Sequence, residues 1–211
     1  MNQRQLSFDV PSLNDAGSLD PNLPEGLVHE PDFVTLEEEQ NLIAFIDTLD
    51  LEPVTMRGQP SRRTVRHFGF AYAYESWEIA TGDPIPAELR WVRDRCAGLA
   101  EVEPKQFAQL LVSRYPEGAG IGWHRDAPKF GPKVAGVSLG SACRMRFQRG
   151  AGTDREVFAL ELEPRSAYIL GGAARSSWQH SIPAAKALRY SLTFRMVKRE
   201  EPVSGGQRGD R

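Results

Sequence analysis

The chain has 211 residues, enough for one substantial hydrophobic core and short for two domains. Its 40% apolar and 26% charged residues are those of an ordinary folded domain, and no long apolar run offers a membrane span. The net charge of -2 hides an asymmetry: residues 1–55 hold twelve acidic side chains and one basic one, Arg4, leaving 25 basic and 16 acidic residues (net +9) after Thr55. So basic a body favours a polyanionic partner, although a mixed solvated surface gives the same count. The opening MNQRQLSFDVPS has no basic flank before an apolar stretch, so no secretory signal is read. Cys96 and Cys143 are too few for a disulfide framework, and a cytoplasmic location is expected.

Residues 1–25, rich in Asn, Asp, Ser, Pro and Gly, read as a flexible arm, and 200–211 as a disordered tail, leaving 26–199 as one domain. Thr35 and Glu38 make a capping box, since each side chain can satisfy a free backbone donor at a helix start. Leu42, Phe45, Ile46 and Leu49 then recur on one helical face. A second helix opens near Pro86, with Leu89, Val92, Cys96 and Leu99 at helical spacing. From Gln106 onward the pattern turns to short strands: FAQLLVSRY, VAGVSL, CRMRFQR, VFALEL, SAYIL and RYSLTFRM. Helices first and strands afterwards predict an α+β chain with a β-rich sandwich or barrel at its centre.

Of the four histidines, His124 stands two residues before Asp126, a spacing that faces both side chains one way on an extended segment. His180 follows after four predicted strands and can close a site from a neighbour. Two imidazoles and one carboxylate form the facial set of non-haem iron oxygenases, which leaves three positions for co-substrate and oxygen. His-x-Asp alone equally describes a histidine beside a surface ion pair. In the last strand Arg189, Ser191, Thr193 and Arg195 alternate with Tyr190, Leu192, Phe194 and Met196. If the polar side turns inward, two guanidinium groups need an anion, and a dicarboxylate fits them through two-pronged pairing. If it turns outward, the strand is ordinarily amphipathic.

These segments together resemble the AlkB family of oxidative dealkylases, within the Fe(II)/2-oxoglutarate dioxygenases. The resemblance runs from about Gly26 to Arg199 and is anchored by SRRTVRHFGFAYAY, IPAELRWVRDRCAGLA, LLVSRYPEGAGIGWHRD, GVSLGSACRMRFQR and QHSIPAAKALRYSLTFR. It implies a double-stranded β-helix (jelly-roll) core with N-terminal helices packed outside. It implies Fe(II), 2-oxoglutarate and O2 as cofactor and co-substrates, with His124, Asp126 and His180 as metal ligands. Arg189, Tyr115, Ser191 and Ser113 match the positions around the distal carboxylate of 2-oxoglutarate, and Arg195 matches the arginine near the chelating carboxylate. Ser113 stands where the founding member has asparagine, and Pro128 where it has a second aspartate near the target base.

The resemblance also implies alkylated DNA or RNA as substrate, with a monomer acting on it. Between Thr55 and Tyr74 the chain has Arg57, Arg62, Arg63 and Arg66, no acid, and the rings Phe68, Phe70, Tyr72 and Tyr74. Arginines interleaved with aromatics suit phosphate contact and base stacking, so Arg62, Arg63, Phe68, Phe70 and Tyr72 are candidate substrate residues. Residues 125–153 add six basic side chains against Asp126 alone. Two other readings remain open here: the same oxidation on a protein or small molecule, and a jelly-roll module that binds without catalysis.

Overall fold

The first elements are a four-residue strand, β1 (Leu27–Glu30), and a helix, α1 (Leu36–Ile46), in a computed structural model that describes residues 23–56, 59–72 and 79–197. The tail expected over 200–211, most of the arm expected over 1–25, and Arg57 and Tyr74 lie outside these residues. The capping box forms as read. Glu38 N donates to Thr35 Oγ1 at 3.1 Å and Thr35 N donates to Glu38 Oε2 at 2.8 Å. Such a cap is worth about 1 kcal/mol to the helix.

Next come β2 (Glu52–Met56), β3 (Gln59–Phe68), a small ribbon of β4 (Phe70–Tyr72) and β5 (Ile79–Thr81), and α2 (Ala87–Leu99). The remaining strands are β6 (Gln109–Tyr115), β7 (Ile121–His124), β8 (Phe130–Leu139), β9 (Cys143–Arg149), β10 (Glu156–Leu162) and β11 (Ala167–Leu170). A one-turn helix, α3 (Gly172–Ser176), precedes β12 (Gln179–Ile182) and β13 (Arg189–Val197).

Among the described residues the strands form a seven-stranded sheet, β1-β11-β8-β13-β6-β3-β2, a four-stranded sheet, β10-β9-β12-β7, and the ribbon. Every pairing is antiparallel. The two larger sheets face each other across a cavity, as in a jelly roll.

β13 decides the layering. It lies between β8 and β6, so its backbone is paired along both edges and both of its faces are covered. Tyr190, Leu192 and Phe194 join one cluster with Leu42 and Ile46 of α1 and Leu89, Val92 and Cys96 of α2. Burying each such side chain contributes roughly 1.5–3 kcal/mol. The opposite side, Arg189, Ser191, Thr193 and Arg195, lines the cavity, so the inward reading of this strand holds.

The order of elements differs from the expectation of helices first and strands afterwards. β1 to β5 precede α2, and β3 is a ten-residue wall of the large sheet, with Val65 opposite Ser113. The SRRTVRH run hides this strand because its inward face alternates Arg63, Val65 and His67, only one of them apolar. Phe68 therefore corrects one candidate. It is 5% exposed and belongs to the cluster beneath the helices, so it is a core ring and no stacking surface for a base.

Candidate active site

The cavity between the sheets measures about 810 Å³ and is lined by the inward rows of β6 and β13 and the start of β8 (Phe130, Gly131 and Pro132) on one side and by β7 and β12 on the other. His124 ends β7 and pairs in register with His180 of β12, with ring centroids 4.3 Å apart. His124 Nδ1 lies 2.9 Å from Gly122 O. A carbonyl only accepts, so Nδ1 carries the proton and Nε2 keeps its lone pair. Asp126 lies just beyond β7, so strand alternation does not place it. Arg175 of α3 does, donating from Nη1 to Asp126 O at 3.1 Å and from Nη2 to Ala127 O at 3.0 Å. Asp126 Oδ1 accepts an ion pair from Arg195 Nη2 at 2.7 Å, while Oδ2 stands 3.9 Å from His180 Nε2.

Among the described residues no three His, Cys, Asp or Glu side chains already converge at liganding distance of one point. The trio is nonetheless near such a point. Ligands about 2.1 Å from a metal and at right angles stand about 3 Å apart, so Asp126 and His180 need to close by about 1 Å. Their protonation also fits a cation. Burial pushes His180 down to about 3 and lowers His124, while Arg195, His180 and His124 outweigh burial to hold the Asp126 carboxyl far below its usual range. Two neutral imidazoles and an ionised carboxylate are the forms that bind metal.

A pH dependence of stability follows for the metal-free protein. Burial, reinforced by the charges of Arg195 and Arg63, also pushes His67 down to about 4. Below their ordinary value of 6.5, His67 and His180 take up protons only when unfolded. Stability must therefore fall as pH drops from 6.5 towards 4, by up to about 1.4 kcal/mol per pH unit for each histidine. Asp126, also held low, acts in the same direction but in stronger acid: its contribution is intact above 3.8 and is lost as the pH falls below that. Urea unfolding of chelator-treated protein between pH 7.5 and pH 5 checks this, and a flat profile would mean that both rings are solvated.

The far end of the cavity is built around Arg189, whose side chain is 1% exposed. Its Nε donates to Ser138 Oγ at 3.1 Å and its guanidinium lies 5.1 Å from the Tyr115 ring centre. Among the described residues no carboxylate lies within ion-pair distance of it. A buried cation so placed is costly until an anion meets it. Ser113, Ser191 and Ser138 stand in register across β6, β13 and β8, forming a row of hydroxyls beside that guanidinium. Tyr168 covers the floor, where a Cβ on Gly136 would come within 2.2 Å of its ring. Glycine at 136 is what lets the phenol lie flat there.

The structure thus brings together His124, Asp126, His180, Tyr115, Ser113, Arg189, Ser191 and Arg195 around one cavity. Of the candidate substrate residues, Arg63 is buried and lines the cavity, Arg62 is exposed, and Phe70 is half-buried in β4. Tyr72 ends β4, and its side chain lies outside the described residues. Sequence reasoning missed Ser138, Arg175 and Trp123. Ser138 had a signal, since it alternates with Gly136 along VAGVSL. Arg175 had none, because only the tertiary fold carries α3 against the Asp126 loop.

Residues 27–195 match the model of the 2OG-Fe(II) oxygenase superfamily, and the chain belongs to that superfamily, whose dioxygenases use Fe(II), 2-oxoglutarate and O2. It is 30% identical over 178 residues to the tRNA (carboxymethyluridine(34)-5-O)-methyltransferase alkbh8 of Xenopus tropicalis, covering 80% of this chain and 27% of that protein. It is also 30% identical over 218 residues to the Alkylated DNA repair protein ALKBH8 homolog of Arabidopsis thaliana, covering 87% of this chain and 61% of that one. The chain thus spans under two thirds of either relative. The OsALKBH1 structure superposes with a TM-score of 0.63 at 17% identity, covering 82% of this chain and 97% of that one, which is likeness of fold. Within the superfamily the chain is AlkB-like. No helix among the described residues is long and apolar enough to cross a membrane.

Proposed function

We propose that this protein oxidatively removes alkyl groups from damaged bases in DNA or RNA. The observation that carries the reading is one cavity with His124, His180 and Asp126 at one end and, at the other, the buried Arg189 guanidinium, which has no carboxylate partner among the described residues. His124 Nε2, His180 Nε2 and Asp126 Oδ2 would hold iron. Arg189, with Tyr115, Ser113, Ser191 and Ser138 around it, would seat the distal carboxylate of 2-oxoglutarate, and Arg195 would lie beside the carboxylate at the metal. When bound, iron with 2-oxoglutarate and O2 supplies oxidation of a C–H bond, with succinate and CO2 as co-products. A hydroxylated N-alkyl carbon then leaves the base as an aldehyde.

The chain's own residues bind, orient and shield. Met145 and Ile182 add apolar walls to the cavity, and Arg175 keeps the Asp126 loop in place. On the substrate side, Arg125 lines the cavity and is exposed, and Trp123 lines it with the Arg146 guanidinium 5.1 Å from its ring centre. Among the described residues Trp123 is a ring placed to meet a base, which has to be flipped out of any duplex to reach the cavity. The excess of basic residues after Thr55 supports a phosphate-bearing substrate. Residues 26–199 would act as one catalytic domain, and two free buried thiols suit a reducing cytoplasm. Methyl transfer, named for the frog relative, is not carried over, because the chain spans only 27% of that protein.

The test is mass spectrometry of DNA and RNA oligonucleotides bearing N-methylated bases, incubated with protein, Fe(II), ascorbate and 2-oxoglutarate. Loss of the methyl group with release of formaldehyde is expected, and oligonucleotide binding should weaken steeply with salt. Oligonucleotides that neither lose a methyl group nor stimulate 2-oxoglutarate turnover at low salt would overturn the reading in favour of a protein or small-molecule substrate.

A further inference from the structure

Behind the ion pair of Arg195 with Asp126 lies a line of polar side chains that no liganding role explains. Arg195 Nη1 donates to Gln109 Oε1 at 3.2 Å, and Gln109 Nε2 lies 3.1 Å from His67 Nδ1. Gln109 is fully buried and is paired directly across from Arg195 in the ladder between β6 and β13. His67 belongs to β3, the next strand along.

The direction of each hydrogen bond is fixed by chemistry. Guanidinium has donors only, so it must meet the amide oxygen of Gln109. The amide nitrogen then points to His67 and can only donate, so His67 Nδ1 must be the unprotonated ring nitrogen. The neutral state of this half-buried ring, held down by desolvation and by nearby Arg195 and Arg63, agrees with that assignment. Donation thus runs outward from Arg195 on both sides. Asp126 Oδ1 accepts from Arg195, Gln109 Oε1 accepts from Arg195, and His67 accepts from Gln109.

We infer that Gln109, oriented by His67, is a positioning residue that aims Arg195 at Asp126 Oδ1, so that Oδ2 is the oxygen turned towards His180 and the metal. Arg195 is 7% exposed, its Nε is buried without a hydrogen-bond partner among the described residues, and its guanidinium lies 4.7 Å from the Phe130 ring centre. Apart from Asp126, Gln109 is the hydrogen-bond partner that fixes the rotation of the fork among the described residues. Without it the fork can turn to satisfy Nε and pull Asp126 out of line. Groups that orient metal ligands in this way typically matter 10- to 100-fold in metal affinity. The inference rests on the metal reading proposed above.

The experiment measures Co(II) affinity by calorimetry, and the 2-oxoglutarate dependence of succinate formation, in the wild type and four variants. Gln109→Leu removes the acceptor for Arg195, and about ten-fold weaker Co(II) binding is expected. His67→Leu removes the acceptor for Gln109 and should weaken binding in the same direction by less. His67→Asn places an amide oxygen where Nδ1 stood and should restore wild-type affinity, a rescue that mere packing would not give. Gln109→Glu keeps an acceptor for Arg195 but opposes the His67 lone pair with an anion, so it should fall between Gln109→Leu and wild type. Melting curves of the metal-free proteins identify any variant that fails to fold, and His67→Asn against His67→Leu then carries the decision. If Gln109→Leu folds and binds Co(II) within two-fold of wild type, or if His67→Asn and His67→Leu lose affinity equally, the positioning role is wrong. A wild-type protein that binds no Co(II) would instead overturn the metal reading itself, and this inference with it.

Discussion

Replacing His180 or His124 by alanine is expected to abolish iron-dependent succinate formation while leaving the protein folded. In the proposed iron site each imidazole would supply one of three protein donors, and two donors hold a divalent ion far more weakly. The fold should tolerate the loss because both rings already border a cavity of about 810 Å³, so truncation enlarges an existing space and opens no sealed void. Removing His180 should also flatten part of the acid sensitivity described above, since a buried neutral imidazole is what creates it. Asp126→Ala should behave differently. It removes the carboxylate of a buried ion pair and leaves Arg195 uncompensated, a loss of about 3–5 kcal/mol in stability on top of the loss of turnover. Succinate measured by mass spectrometry, with metal content and urea unfolding on the same preparations, separates these outcomes. Full turnover in either histidine variant with iron still bound would remove that residue from the ligand set.

The second large effect is expected at Arg189. Arg189→Ala should raise the concentration of 2-oxoglutarate needed for half-maximal turnover at least ten-fold, because a charge-assisted hydrogen bond contributes about 1.5–3 kcal/mol. Arg189→Lys should recover only part of this, since an ammonium cannot offer the two-pronged fork. The metal-free Arg189→Met protein should be at least as stable as wild type, because the native guanidinium is buried at 1% exposure with Ser138 as its hydrogen-bond acceptor. Stability and co-substrate affinity thus move in opposite directions at this one position. Titration of 2-oxoglutarate against the Mn(II)-loaded protein gives the affinity without turnover. An unchanged 2-oxoglutarate requirement in Arg189→Ala would place the co-substrate carboxylate elsewhere.

Some of this molecule is written in local patterns. The capping box at Thr35 and Glu38 depends on four consecutive residues, so it could be read before any contact was known. The alternation along RYSLTFRM sorted one face of β13 for the helices and the other for the cavity, because a strand's side chains alternate whatever it packs against. His124, Asp126 and His180 were legible as residue types at a spacing. What that spacing could not supply was their approach. Asp126 stands beyond the end of β7, and its position depends on Arg175, 49 residues away, reaching its carbonyl.

Other features belong to the tertiary structure alone. β3 carries Arg63 and His67 on its inward face, a pattern that reads as solvated until pairing with β6 shows it to be a wall of the site. Phe68 and Trp123 show the same limit from two sides. Both are aromatic beside basic residues, yet one is sealed under the helices and the other faces the cavity. Local sequence states what a side chain can do. Whether it meets core, cavity or water is decided by which strand lies next to it, and that is fixed only when distant segments pair.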